Sequence, residues 1–567
     1  MSLPPPNLPT LQQTHCRSIL LRSSRYLAFP SPEIRTVHSF LILRILLCAS
    51  ASALSTAAGT VLGGGQRKDW PAGHSQIYGD SNFRGDDEET HTAPVVGAGT
   101  LAMPSVLSHM GIMLGVLLVI WSGLTAAFGL YLQSKCARYL DRGAASFFAL
   151  SQITYSQASV VFDAAIAIKC FGVGVSYMII IGDLMPGVML GFNSRADHIP
   201  YLVDRHFWIT AFMLLVIPLS FLRRLDSLKY TSLVALVSIG YLIVLVIYHF
   251  AVDPHADPSN VRVIKWAGAV ETLSALPIVV FAYTCHQNAS KMFSIVNEIK
   301  DNSPSSMVRV IVLSIGSAAS IYLVVAITGY ITFGNDIVGN IVLMYPTGVA
   351  STIGKAAIVI LVLFSIPLQV HPCRASLDAV LKWRPSRSQS GNGRISSSVS
   401  AAATVSRGDH GTAPMSDTRF ALLTTLILTL AYFTALSVSS LDRVLAFVGS
   451  TGSTSISFIL PGLFYYKISD PESSYHQRLM KEDDDMEDSG LSDIEDSAHL
   501  AGNSASVLDS TPDSLNHSPW RWRKKWRWDL EHLDHGLVRK LALALAVYGV
   551  VVMVVCLFMN IFFAASH

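Results

Sequence analysis

The feature that most constrains this chain is a series of long apolar stretches with almost no charged residues. Lipid offers no partner for backbone N–H and C=O groups, so a stretch of about 20 apolar residues predicts a membrane-spanning helix. Only 14% of the 567 residues are charged, against roughly 25% in soluble proteins. Such stretches occur at 113–134, 157–184, 204–222, 230–250, 268–287, 308–333, 351–371, 419–440, 443–466 and 540–563, with a shorter, interrupted one at 93–112.

The sequence therefore predicts an all-α polytopic membrane protein with about 11 transmembrane helices. Lysine and arginine concentrate in alternate loops, which predicts that those loops face the cytosol. The basic loops 134–150, 222–230, 286–310, 371–419 and 466–540 hold 26 of these residues, and the opposite loops hold 6. The N-terminus is then cytosolic, and His567 lies in a lumen or outside the cell.

Composition also predicts how the chain is divided. An N-terminal extension, disordered or wrongly joined, precedes helices 1–8, and a Ser/Gly/Arg-rich disordered cytosolic linker follows them. Helices 9–10 lead into an acidic disordered cytosolic loop, a Trp/Arg-rich juxtamembrane segment and helix 11. In order, these segments are 1–92, 93–371, 372–418, 419–466, 467–517, 518–539 and 540–563.

The juxtamembrane segment alternates tryptophan with basic residues from Trp520 to Trp528. Indole rings favour the headgroup region of a bilayer, and Arg and Lys favour its anionic cytosolic leaflet. The segment is predicted to anchor the last helix, with contact to anionic lipid possible.

Two of the predicted spans carry helix-disrupting residues in their interiors. The first contains Val96-Gly-Ala-Gly-Thr-Leu-Ala-Met-Pro104, and the sixth contains Leu276-Pro-Ile-Val-Val-Phe-Ala-Tyr-Thr-Cys-His-Gln-Asn288. Broken helices five spans apart are typical of transporters built from a five-plus-five inverted repeat, in which the breaks present backbone groups to substrate and ion. A packing kink at a close helix crossing is the alternative for the first span.

Few ionisable residues lie inside the predicted spans, where a charge is costly and usually faces a partner or a water-filled cavity. Lys169 is the deepest, and we expect it to form an ion pair with another helix rather than to act in transport. Asp163 lies six residues earlier on the same span, and Asp183, Glu271, His286 and Lys355 lie near span ends.

Motifs of soluble enzymes are absent from the sequence: it has no phosphate-binding loop, no Cys-x-x-Cys pair, no zinc-protease motif and no nucleophile elbow. We expect no enzymatic activity, no bound cofactor or metal and no nucleic-acid partner. Active transport by this chain would have to draw on an ion gradient, of protons or of sodium.

Several segments resemble a known family. Gly97-Ala-Gly-Thr-Leu-Ala-Met-Pro104 resembles the first-span signature of the amino acid/auxin permease family. The segment Ile168–Pro186 is similar to that of the fungal vacuolar amino-acid transporter group, which is related to sodium-coupled neutral amino-acid transporters. Four further segments fit the same group, namely Phe281–Asn288, Thr328–Gly334, Pro367–Arg374 and Gly449–Pro461.

The resemblance implies the amino acid–polyamine–organocation fold with one extra C-terminal helix, and a transporter that works by alternating access around spans 1 and 6. It implies an amino-acid substrate, usually coupled to protons across the vacuolar membrane. The implied substrate-binding residues are Gly97, Ala98, Gly99 and Thr100 on span 1 and Phe281, Ala282, Tyr283 and Thr284 on span 6. The candidates for ion coupling are Ser365, Asp163 and His286.

The sequence departs from this family before the glycine signature. Family members have an apolar half-helix there, whereas Gly85–Pro94 is polar and acidic. A wrongly joined exon, a genuine extension and a targeting segment are three hypotheses for residues 1–94. A second departure is an apparent insertion at Ala289-Ser-Lys291.

The leading hypothesis is thus a proton-coupled amino-acid transporter of the vacuolar membrane or of another acidic organelle, with the plasma membrane as the alternative location. A receptor that senses amino acids without net transport is the alternative function. The amino acid carried, the direction of transport and the oligomeric state do not follow from the sequence.

Overall fold

The structure is a computed structural model that describes residues 97–140, 147–222, 229–253, 256–286, 304–382, 415–478 and 519–566. Regular structure within these ranges is helical throughout. The predicted extension at 1–92 lies outside the described residues, as do most of the linker and of the acidic loop. So do the side chains of Trp520–Trp528, and their contact with anionic lipid stays a prediction.

A helix occupies each predicted span, and we number these helices by span. Short helices at Phe147–Thr154, Pro200–Val203 and Ile341–Met344 connect some of them. The numbered helices are α1 Gly99–Met110, α2 Ile112–Ala137, α3 Ser159–Phe192, α4 Arg205–Ser220, α5 Lys229–Val252, α6 Ala269–Ala282, α7 Pro304–Phe333, α8 Val349–Lys382, α9 Asp417–Ser437, α10 Leu441–Ile468 and α11 Pro519–Ser566.

The predicted class, an all-α polytopic membrane protein, is confirmed. Among the described helices, 8 are long and apolar enough to cross a membrane, and α4 and α6 are shorter apolar helices. The total number of crossings and the inverted repeat stay predictions. The most apolar windows of α3 and α10 are 72% buried, the highest share among these eight helices. These two helices therefore form the centre of the bundle.

Hydrogen bonds between residues near the helix ends show which loops lie on the same face of the helix bundle. On one face Arg262 Nη1 donates to Ser108 O at 3.0 Å, and Ser105 Oγ donates to Asp442 Oδ2 at 3.0 Å. On the other face Tyr139 Oη, in loop 134–150, lies 3.1 Å from His476 Nδ1, in loop 466–540. Loops that alternate along the chain thus meet in space, which is the grouping that the charge count predicts. Which of the two faces is cytosolic stays a prediction.

Helix α8 continues well past residue 371, so the prediction that 372–418 is entirely linker was wrong for residues 372–382. The apolar stretch of α8 ends at charged residues, and these side chains form hydrogen bonds and ion pairs. Arg374 is buried, donates to Thr424 Oγ1 at 3.0 Å and lies over the Phe420 ring. Asp378 pairs with Lys382 at 2.7 Å. Pairing lets the helix extend beyond its apolar segment.

Likewise α11 begins at Pro519, within the predicted juxtamembrane segment, and not at residue 540. The predicted anchor is therefore part of the same helix as the last span. The acidic loop, predicted from residue 467, begins after Ile468 and contains a helical turn at 474–478.

The prolines within α1 and α6 do not break their helices. Pro104 lies inside α1 and Pro277 inside α6. Each packs where glycine on a neighbouring helix leaves room: a Cβ at Gly329 of α7 would lie 2.8 Å from Pro104 Cγ, and Gly449 of α10 faces Pro277. The prolines are therefore packing points within continuous helices, and the chain leaves the helical conformation at the start of α1 and at the end of α6.

Arg205 joins three helices on one face of the bundle. Its Nε donates to Asp183 Oδ1 on α3 at 2.7 Å, and its Nη2 donates to the carbonyls of Ala435 and Val438, at the end of α9, at 3.1 and 3.0 Å. A planar guanidinium can serve all of these acceptors, whereas a lysine ammonium is a point charge.

We predict that Arg205→Lys lowers the thermal unfolding midpoint of the detergent-purified protein. The loss should be about 1.5–3 kcal/mol of unfolding free energy, the usual contribution of hydrogen bonds to charged groups. Arg195→Lys is the matched control, because Arg195 is exposed. Equal melting of the two variants would contradict this role for Arg205.

Candidate functional site

The start of α1 forms one side of the candidate site. Gly97 and Ala98 precede the helix, and their carbonyls accept the first bonds, from Thr100 N at 3.0 Å and Leu101 N at 3.1 Å. The first N–H groups of a helix lack intrahelical partners and carry partial positive charge. Such a terminus suits the carboxylate of a substrate. Thr100 is fully buried, and its Oγ1 has no partner among the described residues.

Helices α1 and α6 touch at the site. A Cβ at Gly99 would lie 2.6 Å from Ala282 Cβ and 2.8 Å from Ala282 Cα. Only glycine permits this approach, because a real Cβ never comes so close to another backbone. The structure therefore brings together the two segments, 97–100 and 281–284, that the sequence comparison predicted to form one site.

The other side of the site is the unwound end of α6. The helix ends at Ala282, Tyr283 follows as a turn residue with α-helical dihedral angles, and Thr284 and Cys285 lie outside the helix. Thr284 N still donates to Phe281 O at 3.0 Å, and Thr284 Oγ1 donates to Val280 O at 2.7 Å. The carbonyls of Ala282, Thr284 and His286 have hydrogen-bond partners on other helices.

Side chains of three other helices supply those partners. Tyr322 Oη on α7 donates to Ala282 O at 2.7 Å. Lys169 Nζ on α3 donates to Thr284 O at 3.4 Å, and Gln133 Nε2 on α2 donates to His286 O at 3.4 Å. We call these three side chains the carbonyl donors. Unpaired carbonyls inside a bilayer cost several kcal/mol each, so the donors make the unwound end tenable.

Helix α10 is the fourth helix that forms a hydrogen bond with the unwound end of α6. Ser457 Oγ donates to Thr284 Oγ1 at 3.2 Å. Opposite Pro277 and Lys169, α10 widens into π turns at Gly449–Ser453 and Ser455–Ile459. Such turns are rare and often occur at functional sites.

Lys169 is 2% exposed, and no carboxylate pairs with it among the described residues. The ion pair expected for Lys169 is therefore not found in the described part of the chain. The sequence marks Lys169 as a lysine deep inside a membrane span. Its partner is a backbone carbonyl, and a pattern of side chains cannot identify such a partner.

Tyr283 adds an unpartnered polar atom to the site. It is 1% exposed, its ring packs edge-on against Tyr322 with centroids 5.1 Å apart, and its hydroxyl has no partner among the described residues. Across from it, Gly123 of α2 leaves space for the ring. The hydroxyls of Tyr283 and Thr100 are thus both buried without a partner among the described residues.

The three candidates for ion coupling fall in different places. His286 is fully buried at the end of the unwound segment, with Nε2 3.2 Å from Ala126 O. Ser365 donates to Leu361 O within α8 at 2.7 Å. Asp163 is half-buried near the start of α3, about two turns before Lys169. No hydrogen bond or ion pair of the described residues joins Ser365 or Asp163 to the unwound end, and all three roles stay predictions.

Tyr322, Gln133 and Ser457 were missed by sequence reasoning. Each is an ordinary polar residue within an apolar helix, and its partner comes from a helix distant in sequence. Only the packing of α2, α7 and α10 around the unwound end identifies them.

A comparison with models of known protein families identifies the family of this chain. Residues 90–484 match the family model described as transmembrane amino acid transporter protein. The chain belongs to this family. The resemblance inferred from the sequence is thus confirmed, and the family consists of transporters rather than enzymes.

Individual relatives within and near the transmembrane amino acid transporter family support this assignment. The chain is 41% identical to Vacuolar amino acid transporter 6 of Saccharomyces cerevisiae, over 67% of this chain and 88% of the relative. It is 41% identical to Vacuolar amino acid transporter 5 of Schizosaccharomyces pombe, over 67% and 84%. Sodium-coupled neutral amino acid transporter 7 of Danio rerio is 24% identical, over 65% and 75%.

We predict that Gly99→Ala lowers amino-acid transport at least tenfold. The added methyl group would overlap Ala282 and force α1 and α6 apart, and overpacking costs about 1–3 kcal/mol. Gly316→Ala on α7 is the matched control, because nothing lies within 4 Å of a Cβ at that position. Equal transport by the two variants would show that the contact between Gly99 and Ala282 is dispensable.

We also predict that Tyr322→Phe destabilises the protein. It removes the donor to Ala282 O and leaves a buried carbonyl unpaired, at a cost of about 1–3 kcal/mol. Tyr283→Phe is the control, because the Tyr283 hydroxyl has no partner among the described residues. Thermal unfolding in detergent should separate the variants, and a Tyr283→Phe midpoint as low as that of Tyr322→Phe would argue against this role for the donor.

Proposed function

We propose that this chain is a secondary active transporter that moves amino acids across the vacuolar membrane, coupled to protons, by alternating access. The observation that carries the proposal is the contact between the first turn of α1 and the last turn of α6, at Gly99 and Ala282. Interrupted helices at a bundle centre are how many transporters present backbone groups to a substrate.

The chemistry of the two ends suits an amino acid. The N-terminus of α1 offers N–H groups and a positive dipole to the carboxylate, and carbonyls at the C-terminus of α6 suit the amino group. Phe281 and Tyr283 then line the side-chain pocket, with the Tyr283 and Thr100 hydroxyls free to hydrogen-bond. Relatives named as vacuolar amino acid transporters support the substrate class and the membrane.

Alternating access fits the packing of the site. Gly99 lies directly against Ala282, so a substrate between the helices requires them to separate. A proton as the coupling ion accords with an acidic lumen. More distant relatives are named sodium-coupled, so the experiment must compare the two gradients.

The test is uptake of labelled amino acids into vacuolar vesicles from cells that express the full chain. We expect a pH gradient to drive accumulation and a sodium gradient without a pH gradient to drive none. Vesicles with the Gly99→Ala variant at matched expression give the background.

A second chain, in which residues 85–94 are replaced by an apolar helix-forming segment, is tested in parallel. Accumulation by either chain would support the proposal. If neither chain moves any amino acid under any gradient, the transport proposal is wrong, and sensing without transport becomes the better hypothesis.

A further inference from the structure

Lys169 is a buried cation at the unwound end of α6. Its Nζ donates to Thr284 O at 3.4 Å, and the residue is 2% exposed. A buried charge is costly unless groups of opposite polarity surround it. Here that environment comes from the C-terminal end of a helix, where unpaired carbonyls carry partial negative charge.

Thr284 is the residue through which Lys169 contacts α6, and it is held from two sides. Ser457 Oγ on α10 contacts Thr284 Oγ1 at 3.2 Å, while Lys169 contacts its carbonyl. On its other side Lys169 packs on the first π turn of α10, where a Cβ at Gly452 would lie 2.5 Å from Lys169 Cβ. Lys169 therefore links α3, α6 and α10 at one point.

The titratable side chains around Lys169 are two cysteines and a histidine. Those with an electrostatic interaction are Cys170 on α3 itself and Cys285 and His286 on the unwound end. The π turn Gly449–Ser453 of α10 contributes no titratable side chain. No carboxylate lies in this environment within the described residues, and the hydrogen bond shown for the Lys169 ammonium is to the carbonyl of Thr284.

We propose that Lys169 is the proton-bearing positioning residue of the transport cycle. With its proton, the ammonium holds Thr284 O and keeps α6 in the observed position. When the proton passes to water on one side of the membrane, the neutral amine no longer attracts the helix end. The segment then moves, and the amine regains a proton from water on the other side. This inference rests on the proposed function, and it specifies how protons couple to it.

Three variants test this inference in vesicles, with the wild type alongside. Lys169→Arg keeps the charge but cannot lose its proton, and Lys169→Met imitates the neutral state. Lys355→Met is the matched control, because Lys355 is also a buried lysine that donates to a carbonyl, Tyr345 O at 3.2 Å, on another part of the bundle. Exchange is measured without a pH gradient, and accumulation is measured with one.

The wild type and Lys355→Met should perform both reactions, with up to about tenfold accumulation per pH unit for one coupled proton. Lys169→Arg should lose both exchange and accumulation, because its contact with Thr284 O persists and no proton is released to free the end of α6. Lys169→Met should also lose accumulation, and its exchange should no longer depend on pH.

Accumulation by Lys169→Arg with the wild-type pH profile would overturn the inference. So would exchange by Lys169→Arg at the wild-type rate, since the end of α6 would then move without loss of a proton. Failure of Lys169→Met to reach the membrane would also count against it, because a residue that loses its charge in each cycle must be tolerated uncharged. A wild type without transport would instead contradict the proposed function.

Discussion

The requirement that every backbone carbonyl inside the bilayer find a donor governs this structure. Most helices meet it within themselves. Helix α6 does not, because it ends at Ala282 in the middle of the bundle. The carbonyl donors Tyr322, Lys169 and Gln133 come from three different helices to meet it. The positions of α2, α3 and α7 around the site are thus tied to one interruption.

In the proposed transport cycle, the atoms that stabilise the end of α6 are also those that meet the substrate. A helix end that depends on side chains of its neighbours can exchange those partners for a substrate or for water as the helices move. Ser457 on the π-turn segment of α10 adds a contact to Thr284 that links the central helix to the same end. A regular helix through 283–286 would need none of these contacts, and it would offer none to a ligand.

The close approach of Gly99 and Ala282 has a related consequence. It leaves no room for a ligand between α1 and α6 at that level in the observed state. Unpartnered hydroxyls on Thr100 and Tyr283 nevertheless remain beside the contact. Polar atoms buried without partners are unusual in folded proteins, and here they lie on the two segments for which we propose contact with the substrate.

The sequence by itself determined the helical membrane class, the family and the two segments that meet, because hydropathy and glycine spacing are local properties of the chain. It predicted helix breaks within Val96–Pro104 and Leu276–Asn288, and tertiary packing decided that α1 begins at Gly99 and α6 ends at Ala282, since glycines on neighbouring helices accommodate the rings of Pro104 and Pro277. It expected an ion pair for Lys169. Only the assembled bundle could show that the partner is the carbonyl of Thr284, because every residue has a carbonyl, and only the fold decides which ones are left unpaired.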